Sequence, residues 1–145
     1  MTRAAALFFM TLLTAPPLLA ASPAKKVKKE AAKMEWKGAF CPVTEPSHRL
    51  VETPAQWEKL WKEIGRPAPA ADLSRHYAVA VFLGRRNTGG YGVAFEEPVA
   101  KSSASVVGYR IKEPEGFSMQ VITAPYAVRL YPKSDKPVLV EALGK

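Results

Sequence analysis

The chain has 145 residues, one cysteine, two histidines and a formal net charge of +8. That length fits a single domain, and one cysteine excludes an internal disulfide framework. The sequence contains no HExxH, CxxC or glycine-rich phosphate loop, so it reads as non-catalytic, with neither cofactor nor metal.

The first segment reads as an export signal. Arg3 gives a positive start, Ala4 to Leu13 is apolar apart from Thr11, and small residues gather at Ala20, Ala21 and Ser22. Charge, apolar run and small-residue zone are the order that signal peptidase reads. The run is short and interrupted by Pro16 and Pro17, which does not suit a bilayer-spanning helix. A signal peptide over 1–21 is therefore expected, with cleavage near residues 20–24 and a periplasmic or secreted product. No cysteine stands near the junction to take a lipid. Residues 22–35 form a linker that carries Lys25, Lys26, Lys28, Lys29 and Lys33 against Glu30. It buries no useful apolar face, and its lysines offer a weak contact for a polyanion.

The β-rich domain is expected over 36–145. Thr53 suits an N-cap, Pro54 the first helical position, and Gln56 completes a capping box. Trp57, Leu60, Trp61 and Ile64 then fall on one stripe, and Gly65 ends the helix. The stripe should pack on a sheet. Strands are expected at 39–43, 49–51, 77–83, 91–97, 105–112, 118–123, 126–131 and 137–142, punctuated by glycine and proline. The fold class is α+β: one helix on a mostly antiparallel sheet, as a sandwich or a partly closed barrel.

Ionisable groups do not converge along this chain. His48 and His76 lie in different segments, and nothing in their spacing ties either to Cys41 as a thiolate pair. Glu96 and Glu97 are adjacent, so on a strand they point to opposite faces. The informative stretch is a loop, Gly84 to Tyr91. Arg85 and Arg86 supply planar donors, Asn87 and Thr88 suit a turn, and Gly89 and Gly90 permit positive φ beside Tyr91. Pro125 interrupts two strand-like runs and stands beside Tyr126. Loops on a rigid sheet are common binding elements. A protein partner is therefore expected to meet Arg85, Arg86, Asn87, Thr88, Gly89, Gly90, Tyr91, Pro125 and Tyr126.

The series Phe82-Leu83-Gly84, Asn87-Thr88-Gly89-Gly90-Tyr91, Glu113-Pro114-Glu115-Gly116 and Val121-Ile122-Thr123-Ala124-Pro125-Tyr126 resembles the C-terminal domain of the PrcB family of protease-complex subunits. The resemblance covers roughly 51–140. It implies an exported, non-catalytic subunit associated with an extracytoplasmic protease, as accessory or modulator. A second resemblance is to chagasin-type inhibitors of cysteine proteases. Asn87, Thr88, Gly90 and Tyr91 match parts of one inhibitory loop, and Pro125 with Tyr126 matches another. No proline follows Asn87, and a tyrosine stands where that family has tryptophan.

Overall fold

The computed structural model describes residues 34–144; the expected signal peptide and most of the lysine-rich linker lie outside them. The elements in order are β1 (Glu35–Gly38), β2 (Ser47–Val51), α1 (Pro54–Ile64), β3 (His76–Phe82), β4 (Gly92–Phe95), β5 (Val99–Ala100), β6 (Ser105–Lys112), β7 (Tyr126–Pro132) and β8 (Val138–Ala142).

Helix α1 forms where its signals stand. Thr53 Oγ1 accepts from the Gln56 amide, Gln56 Oε1 accepts in turn from the Thr53 amide, and Gly65 ends the helix at φ 81°. Its stripe of Trp57, Leu60, Trp61 and Ile64 is buried. What it lies on is set by β3, whose alternating side chains divide between two cores. Ala78, Ala80 and Phe82 face the helix together with Val128 and Leu130 of β7. Tyr77, Val79 and Val81 face the other way, towards Val93, Val107 and Tyr109. The alanines leave room for Trp57 and Trp61, which meet each other and Trp36 edge to face at 5.5–5.9 Å. The connector after α1 is held against the cluster, since Trp57 Nε1 donates to the Pro69 carbonyl at 2.9 Å.

Two sheets result. The first runs β1-β7-β3-β2 and is antiparallel throughout. In the second, β6 pairs antiparallel with β4 and β5 and parallel with β8. The faces meet through the Tyr77-containing core, and neither sheet closes into a barrel. The fold is an α+β sandwich with a helix on the outer face of one sheet.

Several expected strands shift. The N-terminal strand lies at Glu35–Gly38, not 39–43. There Pro42 interrupts the chain and the Ala39 carbonyl takes the Ala124 amide from a loop instead. The strand expected over 91–97 narrows to Gly92–Phe95, and Pro98 is followed by the short β5. Residues 118–123 do not form a strand. Thr123 bridges Arg86 and Met119 accepts from Gly89, but bends at Asn87–Gly89 and the bond from the Val121 amide to the Met119 carbonyl break the ladder between them.

Candidate functional site

Three loops meet at one end of the sandwich: 39–46, 83–91 and 113–125. Their backbones are tied together. Arg85 donates to Thr44 at 2.9 Å, Leu83 to Pro125 at 3.0 Å, and Gly89 to Met119 at 2.9 Å. Arg86 and Thr123 exchange two bonds of 2.8 Å, and Ala124 donates to Ala39 at 3.0 Å. Two glycines make the crossing possible. Gly84 sits at φ 73° with the Thr44 and Pro46 backbone against it, and Gly90 at φ 90° lies on Pro114. A Cβ at Gly90 would come within 2.6 Å of Pro114 Cβ, so only glycine fits.

The loops enclose a cleft of about 590 Å³ lined by Phe40, Gly90, Pro114, Phe117, Met119 and Val121 among others. Its rim is apolar and wet: Phe117 is fully exposed, Met119 is 76 % exposed and Phe40 58 %. Isolated apolar residues on a surface are ordinary, but a set around one cleft marks a contact site. A second cleft, of about 190 Å³ between β2 and α1, is lined by Arg49, Gln56, Lys59 and Glu63 beside Leu50, Val51 and Leu60. It lacks an exposed aromatic anchor.

The residues singled out from sequence divide in two. Arg85 and Asn87 are exposed, while Arg86, Thr88, Gly89 and Tyr91 are half-buried. Arg86 braces the loop: its guanidinium lies 5.0 Å from the Tyr91 ring centroid, and its Nε is buried without a hydrogen-bond partner. Pro125 and Tyr126 are buried, and Tyr126 packs edge to face on Trp61 at 6.3 Å. They are almost wholly buried, and what they expose lies in a cleft beside Tyr91 and Gly92. Phe40, Phe117, Met119 and Ile122 escaped the sequence reading because exposed and buried apolar residues look alike along a chain.

The titratable groups are engaged elsewhere. The Cys41 thiol donates to the Val43 carbonyl at 3.7 Å, and burial pushes it up from its ordinary value. His48 Nδ1 meets the Tyr109 hydroxyl at 3.4 Å, and His76 Nδ1 lies 3.2 Å from the Asp72 carbonyl. Among the described residues no three of His, Cys, Asp and Glu group to hold a metal ion. No described helix is long and apolar enough to cross a membrane.

Residues 77–129 match the family model described as PrcB C-terminal. This stretch is similar to a PrcB-type C-terminal domain. The match runs from β3 into β7, so it takes in the whole of loops 83–91 and 113–125. It leaves out α1, β1, β2, β8 and the loop that carries Phe40. No curated protein and no solved structure matches the chain.

Proposed function

We propose that the chain is an exported, non-catalytic accessory module that docks a protein partner, a protease, through the cleft end of its PrcB-type domain. The observation that carries this reading is the exposed apolar rim of Phe40, Phe117 and Met119 on loops locked by backbone bonds. Large apolar side chains around a preformed pocket are the anatomy of interface hot spots, and rigid loops lower the entropy that docking costs. The family supports a protease complex as the setting. The leader composition supports export. The engaged thiol and the separately partnered histidines support a role without covalent chemistry.

The test is affinity capture with the domain from envelope and culture fractions of its source cells. Wild type should enrich a secreted protease, and Phe117→Ser with Met119→Ser should lose it. A protease held equally by both proteins rules out this end as the docking surface; enrichment of no protease rules out the reading. Assaying the captured protease with and without the domain separates inhibition from assembly.

A second reading rests on the lysines of the linker. Binding of a polyanion through Lys25, Lys26, Lys28 and Lys29 would fall steeply with salt and vanish on deletion of 22–33. Docking through the cleft would survive that deletion.

A further inference from the structure

Strands at the margins of the two sheets carry unpaired backbone groups, and most of these edges are guarded. On β1 the bond from the Leu130 amide to the Met34 carbonyl turns the even-numbered residues towards β7. Glu35 and Lys37 therefore hold the open positions, where they pair with each other at 2.9 Å. On β2 the bond from Arg85 to Thr44 leaves Arg49 at the open edge, bridged to Glu63 at 3.8 Å. On β4 the corresponding residue, Val93, is 2 % exposed and so covered. Charge and cover are the usual protection of sheet edges.

β8 is the exception. The Pro137 carbonyl accepts from Ser105 and the Leu143 amide donates to Tyr109, so the odd-numbered residues face β6. In an extended chain the backbone groups of alternate residues point to the same side. Those of Val138, Val140 and Ala142 thus point away from β6, and they make no hydrogen bond to the other described residues. None of the three residues is buried. The side chains of Val138 and Val140 turn in to the second core, which leaves Leu139 on the outer face of the sheet. There it ends a row: Val99 of β5 pairs with Val106 of β6, and Val106 with Leu139. This apolar row runs to the open edge and stops in solvent, with Leu139 57 % exposed.

We infer that β8 is a homodimer interface, at which two copies of this chain join their second sheets across a two-fold axis. In an antiparallel pair, open positions must meet open positions. Val138 opposite Val140 of the second copy satisfies this on both sides of the axis, as a self-complementary contact requires. That register sets Leu139 against its own counterpart at a non-hydrogen-bonded position, where facing side chains stand closest. The row then continues unbroken from Val99 of one copy to Val99 of the other. The next registers on either side put Glu141 or Pro137 against Leu139 instead and break it. The shared edge is short, so the dimer is weak, with dissociation at about 50–500 µM. Because β8 runs parallel to β6, which leads into loop 113–125, the two cleft ends point in opposite directions and stay free. The inference is independent of the docking role proposed above.

The test is sedimentation equilibrium of the chain from residue 22 onward, between about 10 µM and 1 mM. A reversible monomer–dimer equilibrium is expected. Leu139→Lys opposes two like charges at the axis and should weaken the dimer about tenfold or more. Leu139 is exposed, so the variant should keep the wild-type melting temperature under conditions where both are monomeric. Register is read from single cysteines in a Cys41→Ser background. Leu139→Cys should form a covalent dimer on air oxidation, since such a pair lies within disulfide reach. Glu141→Cys, about 13 Å from its counterpart along the strand, should not. The inference fails if the chain stays monomeric at about 1 mM, or if Leu139→Lys dissociates within about twofold of wild type. It fails equally if Glu141→Cys cross-links as fast as Leu139→Cys. Loss of the dimer in Phe117→Ser with Met119→Ser would also overturn it, by moving the contact to the cleft rim.

Discussion

The hydroxyl of Thr123, itself buried, donates to the Thr88 carbonyl at 2.9 Å. This bond joins the start of the β7 approach to the turn of the 83–91 loop. Replacing it with an isosteric apolar side chain leaves a carbonyl without its donor in a partly buried place. Thr123→Val should cost about 1–2 kcal/mol in urea unfolding. It should also speed amide exchange at Gly89, whose own bond to Met119 depends on the same register. Unchanged exchange there would show that the loop end is held by backbone pairing alone.

The glycines at this end separate two effects. Gly90 and Gly116 both have positive φ, 90° and 73°, but a Cβ at Gly90 would strike Pro114 whereas the space beside Gly116 is open. Gly116→Ala should therefore cost only the left-handed strain, about 1 kcal/mol. Gly90→Ala adds displacement of Pro114 and should cost about 2 kcal/mol or more. Equal losses in chemical denaturation would contradict the contact between Gly90 and Pro114.

The two helix tryptophans differ at one atom. Trp57 Nε1 donates to Pro69, while Trp61 Nε1 is buried without a hydrogen-bond partner among the described residues. Trp57→Phe should lower stability by about 1 kcal/mol more than Trp61→Phe, since only the first breaks a bond. Comparison of the two melting temperatures, with circular dichroism to check the fold, decides it.

Alkali should act through the second core. Burial raises the hydroxyls of Tyr77, Tyr109 and Tyr131 above the ordinary tyrosine value, Tyr131 by the most. Above about pH 10 the unfolded chain ionises these groups while the folded chain keeps their protons. Stability attached to them is thus complete below that pH and declines as pH rises beyond it. Tyr77 has a further peculiarity, because its hydroxyl is buried without a hydrogen-bond partner. Tyr77→Phe should be neutral or stabilising at pH 7 and should flatten the alkaline decline. Tyr131→Phe should destabilise at pH 7, since it loses the bond from the Tyr131 hydroxyl to the Glu96 carbonyl at 3.2 Å. Both are read from urea titrations across pH.

Local signals carried much of this fold. The capping box, the apolar stripe and Gly65 marked α1 from end to end, because each acts within a few residues. β6 stands at the expected Ser105–Lys112, and β3 and β7 within a residue of theirs. What escaped depends on pairing between distant segments. The β propensity of Ser118–Thr123 could not reveal that bends at Asn87–Gly89 break its pairing, nor could Val138–Ala142 disclose its parallel partner β6. The site was half legible for the same reason. Gly84 and Gly90 signal a special backbone by their identity, whereas Tyr126 and Phe117 are both aromatic residues in similar company. Only the packed fold sends one to the core and the other to solvent.

The pairing of β1 with β7 also sets a timetable. Glu35 lies opposite Arg129, so among the described residues the first strand has its only sheet partner in the last third of the chain. Closing a loop that long carries an entropic penalty before any contact compensates for it, and such topologies assemble late and slowly. A chain that emerges N-terminus first, from a ribosome or through a membrane, therefore holds Trp36 without its full setting until β7 arrives. The three-tryptophan cluster is a natural clock for that event: its fluorescence should change only when the C-terminal third joins, and a chain truncated before Tyr126 should never show the change.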